Sequence, residues 1–197
     1  NDPYYSAGYT GDIMPYFDNG KFHIYFLHDA QNKPAGKGFH DIHEYETTDL
    51  ANFSYKGQMI PYETSSEPDF GVGTGSVVKA GSVYYFYYTG HNGTSPFVQN
   101  NPRESVLCAT STDLKNWTKI PNFKITAPEG YYDFDFRDPH VFYNEKEGNY
   151  NMIVSTQTEP ARKAVLLAFT SSDPSTGNWQ VKGPIYTTTS QENYLMM

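Results

Sequence analysis

What this chain of 197 residues lacks narrows its nature first. It holds a single cysteine, Cys108, so no disulfide can form within it, and a free Cys behaves as a small core hydrophobe; Cys108 is expected inside a strand of the core. Basic residues are few, 14 Lys and Arg against 22 Asp and Glu for a net charge of −8. With no basic stripe, the electrostatic footprint of a nucleic-acid binder is missing. No run of about 18 apolar residues occurs, which removes a membrane-spanning helix. No stretch keeps an apolar 3.6-residue period for three turns, so helix is minor. His40 and His43 stand three apart, but no third ligand follows in a metal-binding motif. Neither a metal nor a cofactor is expected.

What is abundant sets the fold class. The 18 Tyr and 13 Phe suit pleated, half-buried surfaces, and the 16 Gly and 13 Pro supply turns. Strands are expected at Phe22–Leu27, Glu44–Thr47, Ser76–Lys79, Val83–Thr89, Val106–Thr110, His140–Tyr143, Tyr150–Ser155 and Val165–Thr170. Turn signals such as Asp18-Asn19-Gly20, Ala80-Gly81-Ser82 and Glu147-Gly148-Asn149 separate them. The fold class is all-β.

The strands belong to a repeat. Thr48-Asp49-Leu50-Ala51-Asn52-Phe53, Thr112-Asp113-Leu114-Lys115-Asn116-Trp117 and the looser Ser172-Asp173 through Asn178-Trp179 recur with a period of about 62 residues. Asp49, Asp113 and Asp173 are expected to make strand-end hydrogen bonds, since they return in every unit. Four short strands per unit fit a β-propeller blade. The blades are expected at about 8–64, 65–126 and 127–190, with the start of a fourth at 191–197. Propellers close with four to eight blades, so the chain reads as part of a β-propeller whose remaining blades, or another chain, complete the ring. The start at Asn1-Asp2-Pro3 reads as a processed terminus and favours a secreted or periplasmic protein. The acceptor triplets at Asn52, Asn92 and Asn116 read as structural.

Each unit opens with a short apolar strand: Gly11-Asp12-Ile13-Met14-Pro15-Tyr16-Phe17, Gly73-Thr74-Gly75-Ser76-Val77-Val78 and Arg137-Asp138-Pro139-His140-Val141-Phe142. If equivalent ends meet on one axis, Asp12 and Asp138 come together there. Taken singly, Asp12 after Gly11 also suits a turn, and Arg137-Asp138 also suits a structural ion pair. The run Tyr84-Tyr85-Phe86-Tyr87-Tyr88 is expected to pack between neighbouring blades.

Phe136-Arg137-Asp138-Pro139 resembles the Arg-Asp-Pro motif of glycoside hydrolase family 32, the invertases, levanases and inulinases. In the family's order, Gly11-Asp12 with the strand Lys21-Phe22-His23-Ile24-Tyr25-Phe26 resembles its first blade. His43-Glu44-Tyr45-Glu46-Thr47-Thr48-Asp49-Leu50 is similar to its His-Ala-x-Ser-x-Asp-Leu stretch, and Gly73-Thr74-Gly75-Ser76 to its Ser-Gly-Ser segment. The resemblance implies a five-bladed propeller and retaining cleavage of fructosides or related furanosides in an oligo- or polysaccharide. It implies Asp12 as nucleophile and Asp138 as transition-state stabiliser, with Arg137, Ser76, His28 and Asp29 binding substrate. The family's acid/base is a Glu opening the fourth blade, expected beyond the chain end; Glu192 comes too early in the motif. The chain alone is therefore expected to be inactive. Where the family opens with Trp-Met-Asn-Asp-Pro-Asn-Gly, this chain has Tyr9-Thr10-Gly11-Asp12-Ile13-Met14-Pro15. It keeps the Asp and changes its neighbours. A family 43-like arabinosidase or xylosidase and a non-catalytic carbohydrate-binding propeller stand as alternatives.

Overall fold

The structure, a computed structural model, describes residues 8–30 and 38–189. The expected fourth-blade start at 191–197, with Glu192, lies outside the described residues.

Among the described residues, twelve strands form three antiparallel meanders of four. The first sheet runs β1 (Gly8–Asp18), β2 (Lys21–Ala30), β3 (Asp41–Thr47) and β4 (Ser54–Ile60). The second runs β5 (Gly71–Ala80), β6 (Val83–His91), β7 (Glu104–Ser111) and β8 (Thr118–Lys119). The third runs β9 (Arg137–Asn144), β10 (Asn149–Gln157), β11 (Ala164–Ser171) and β12 (Gln180–Thr187). A helical turn at Ser95–Val98 and a 3-10 turn at Asp133–Asp135 interrupt the strands. No helix among the described residues is long and apolar enough to cross a membrane. The fold is all-β, with three propeller-type blades in an open arc.

Side-chain alternation builds two cores, one on each face of the middle sheet. In β6, Phe86 and Tyr88 point to the first sheet and meet Tyr25, Leu27, Ile42 and Val72. Tyr87 points to the third sheet and meets Val141, Met152, Val154, Leu167 and Phe169. This is the period of two that a strand buried on both faces requires. Tyr25, Phe86, Tyr87 and Phe169 are fully enclosed or nearly so. Cys108 lies in the second of these cores, and burial pushes its thiol well up.

The repeat markers are strand-end caps, as the spacing predicts. The Thr47 hydroxyl accepts from the amides of Asp49 and Leu50, and Ser111 does the same for Asp113 and Leu114. The Asp49 carboxylate then accepts from the amides of Ala51 and Asn52, and Asp113 from those of Lys115 and Asn116. These bonds hold both carboxyls well below the usual range. Asn92 is structural too: buried completely, it donates to the Ser65 and Glu67 carbonyls.

The fourth strand of each sheet is the element that the sequence signals do not reveal. β4 and β12 are mostly exposed, broken by register shifts, and carry Gly57 and Gly183 at φ of 96° and 107°. Pro184 is tolerated in β12 because an edge strand leaves some of its amides without ladder duty.

Candidate active site

The first strands of the sheets lie side by side, β1 against β5 and β5 against β9. Each carries one extra residue relative to its neighbour at the same level. The register slips at Gly11-Asp12 in β1, at Gly73-Thr74 in β5 and at Asp138-Pro139 in β9. A bulge of this kind bends the strand and re-aims a side chain. Asp12, Thr74 and Asp138 all line one cavity of about 350 Å³ as a result.

Hydrogen bonds tie the three bulges together. The Thr74 hydroxyl donates to Asp12 Oδ2. Thr89 on β6 donates to the Thr74 carbonyl at 3.0 Å and accepts from the Asp138 amide at 2.9 Å. Asp138 sits at φ 59°, in the left-handed region. A residue with a Cβ pays about 1–3 kcal/mol for such a backbone, and it persists only where the surroundings impose it. Strain of this kind clusters at functional sites.

Charge is arranged around Asp138. Burial pushes its carboxyl up to about 6; the Arg137 guanidinium opposes this, and the negative charges of Asp12 and Glu104 add to it. Arg137 is held by two acids. Its Nε donates to Glu104 Oε2 at 3.0 Å, and its terminal nitrogen reaches Asp135 Oδ1 at 2.6 Å. Glu104 is almost fully buried and also contacts His91 Nδ1 at 2.7 Å. Arg137 is thus largely engaged by its neighbours, and Asp138 stays poorly solvated.

The structure brings together Asp12, Arg137 and Asp138, and it places the other three expected residues elsewhere. Ser76 is an inter-sheet clasp: its hydroxyl donates to the Pro139 carbonyl at 2.9 Å and accepts from the Val141 amide at 2.8 Å. His28 is buried in the first sheet, its ring stacked on His43 with centroids 4.2 Å apart. Asp29 follows at the end of β2, opposite Tyr9. None of these three lines the cavity. The cavity residues that the sequence does not announce are Thr74, Thr89, His91, Arg103 and Glu104. Thr74 was within reach, because the repeat sets Gly73-Thr74 opposite Gly11-Asp12. Glu104 begins an apolar strand and offers no motif.

Among the described residues two groups of metal-ligating side chains lie outside the cavity, His23-Glu44-Glu46 and His28-Asp41-His43. The ligand atoms of His28, Asp41 and His43 fall within 4.8 Å of one another, all three residues being buried. His43 therefore groups with residues of β2 and β3 and not with His40. The two imidazoles are nearly parallel, 20° apart, so their in-plane lone pairs do not converge on one point. Tyr55 meets His43 Nδ1 at 2.7 Å and Gln58 donates to Asp41 at 2.5 Å. As placed, the trio is a buried cluster in which both imidazoles face the Asp41 carboxylate and Tyr55 and Gln58 supply hydrogen bonds.

Known proteins share this architecture. Sucrose-6-phosphate hydrolase from Lactobacillus gasseri superposes with a TM-score of 0.74 at 21% identity, over 91% of this chain and 35% of its own. A family 32 β-fructofuranosidase of Bombyx mori gives 0.72 at 19%, over 93% and 36%. A family 117 glycoside hydrolase of Zobellia galactanivorans gives 0.72 at 17%, over 96% and 60%. The chain spans about a third of the length of the first two. No protein of curated function matches it. The sequence profile of the glycosyl hydrolases family 32 N-terminal domain matches residues 11–197, nearly the whole chain. The chain belongs to the glycosyl hydrolases family 32 N-terminal domain family.

Proposed function

We propose that the protein is a retaining glycoside hydrolase acting on fructosides, with Asp12 as nucleophile and Asp138 as the residue that binds sugar hydroxyls and stabilises the transition state. The observation that carries this reading is the meeting of Asp12 and Asp138 in one cavity, on bulges of β1 and β9. Family membership supports the substrate class.

Cleavage of a glycosidic bond passes through an oxocarbenium-like state and uses two carboxyl groups in most families. Asp12 attacks the anomeric carbon as the bond to the leaving oxygen breaks, and a glycosyl ester forms. The leaving oxygen takes a proton from a general acid. Water then attacks the same carbon from the face the leaving group vacated, the acid now acting as base, and the configuration is retained. Thr74 orients Asp12 for attack through its hydrogen bond. The acid itself belongs to the proposal as a Glu contributed from outside the described residues, on further blades that close the ring. Secretion or export to a periplasm completes the proposal, because polysaccharides do not enter cells intact.

The test is turnover of sucrose and levan by the protein extended through the blades that supply the acid and by the Asp12→Asn variant of that protein, with the anomeric configuration of the first-formed product followed by NMR. Loss of turnover with an unchanged melting temperature and retained configuration supports the assignment. Inverted product, or full activity in Asp12→Asn, refutes it.

A further inference from the structure

One cation in the cavity wall is held rigidly and has no acid partner among the described residues. The Arg103 guanidinium lies 3.4 Å from the centre of the Phe134 ring. Phe134 stacks on Tyr132, centroids 5.5 Å apart and planes 17° apart, and the Arg162 guanidinium covers Tyr132 at 3.1 Å. The four side chains form one stack, whose cations sit on the negative faces of the rings. Arg103 Nε also donates to His91 Nε2 at 3.4 Å, and His91 Nδ1 donates in turn to Glu104. Plane and Nε are both fixed.

The two terminal amino groups remain. Among the described residues no acceptor takes a hydrogen bond from them, and no carboxylate makes an ion pair with Arg103. The contrast with Arg137, which Glu104 and Asp135 neutralise, is direct. Ordering a long side chain costs rotamer entropy, and here the ordering serves no acid among the described residues. A guanidinium edge presents parallel donors that match an oxyanion in two-point contact. Gly93 leaves the guanidinium room: a Cβ there would stand 3.2 Å from Arg103 Nε.

We infer that Arg103 is a specificity-determining residue that receives an anionic substituent (a carboxylate, sulfate or phosphate ester) of the glycoside bound in this cavity. The inference rests on the fructosidase reading for the identity of the sugar and is independent of it for the anion. Phe134 and Tyr132 are positioning residues, since both act through Arg103.

Binding and turnover are measured separately. The purified protein is titrated with inorganic phosphate, sulfate, acetate and chloride at constant ionic strength, following the Arg103 Nε–H resonance, and the order of affinities distinguishes the three kinds of oxyanion. Saturable binding of at least one oxyanion in the millimolar range is expected, with chloride giving no saturation. Arg103→Gln should weaken it tenfold or more, and Phe134→Leu should weaken it through the lost stack. Oxyanions that act no differently from chloride, or binding by protein resonances that is equal in the parent and in Arg103→Gln, overturn the inference. In turnover, kcat/KM for sucrose 6-phosphate relative to sucrose should fall tenfold or more in Arg103→Gln. An equal loss on both substrates would mean that Arg103 grips neutral hydroxyls, which also overturns it. A protein extended through the blades that supply the acid, which hydrolyses neither substrate yet binds an oxyanion through Arg103, loses the fructosidase reading and keeps this one.

Discussion

Replacing Asp138 by Asn should stabilise the protein above pH 6 and leave it unchanged below pH 4. The folded protein raises the Asp138 carboxyl from 3.8 to about 6, mainly through burial. Below 3.8 the group is neutral folded and unfolded, and it contributes nothing. Between 3.8 and 6 the folded state holds a proton that the unfolded state has released, so stability falls as pH rises. Above 6 the group is charged in both states and the full penalty is present. That penalty is at most about 3 kcal/mol, at 1.36 kcal/mol for each pH unit. The side chain faces a cavity that admits water, which lowers the expected gain to about 1–2 kcal/mol. For a chain of this size the gain raises the melting temperature by about 2–8 °C. Asn tolerates φ near 60° as Asp does, so the backbone strain is the same in both proteins. Asp49, Asp113 and Asp173 have carboxyls held low, with the opposite pH dependence, but they are common to both proteins and cancel. Urea unfolding of the parent and variant at half-unit steps from pH 4 to 8 makes the comparison. Curves that stay parallel across this range, or a variant less stable at pH 8, would refute the electrostatic account of this carboxyl.

Other residues carry predictions of the same kind. Ser76→Ala should lower stability by about 1–2 kcal/mol, because it strips partners from a buried carbonyl and an amide of β9, and should leave KM unchanged; a raised KM at constant melting temperature would return Ser76 to the substrate. Asp113→Ala should cost about 1 kcal/mol in thermal unfolding, with turnover unaffected, through loss of its bonds to the Lys115 and Asn116 amides. Gly75→Ala should destabilise by about 3 kcal/mol or more, since its methyl would run into the Tyr87 carbonyl at the β5 bulge; a soluble variant with parent-like urea midpoint would contradict the register described. Glu104→Gln should lower kcat and shift the pH profile, because Arg137 loses a buried charged partner and acts more strongly on Asp138; an unchanged profile would mean that Glu104 serves packing alone.

Composition and periodicity alone determined that this chain is all-β and repetitive. Alternation in Tyr84–Tyr88 already distributes its rings to two faces, and the Asp-Leu-x-Asn-aromatic marker already places a cap at each strand end, because both are local consequences of a two-residue period and of short hydrogen bonds along the chain. Asp12 and Asp138 were legible for the same reason: they stand at equivalent points of a repeat. The outer strands β4 and β12 were not legible, since exposed edge strands need no apolar pattern and tolerate Gly and Pro. Nor could the sequence separate Ser76 from the cavity lining or bring Glu104 and Arg103 into it. Those assignments depend on which strand of one sheet faces which strand of the next. Only the packing of β5 against β9 turns the Ser76 hydroxyl to Pro139 and Val141. Only the docking of the 133–137 segment beside β7 gives Glu104 its partner and Arg103 its aromatic seat. A contact between residues dozens of positions apart leaves no trace in local pattern, and the chemistry of this cavity is made of such contacts.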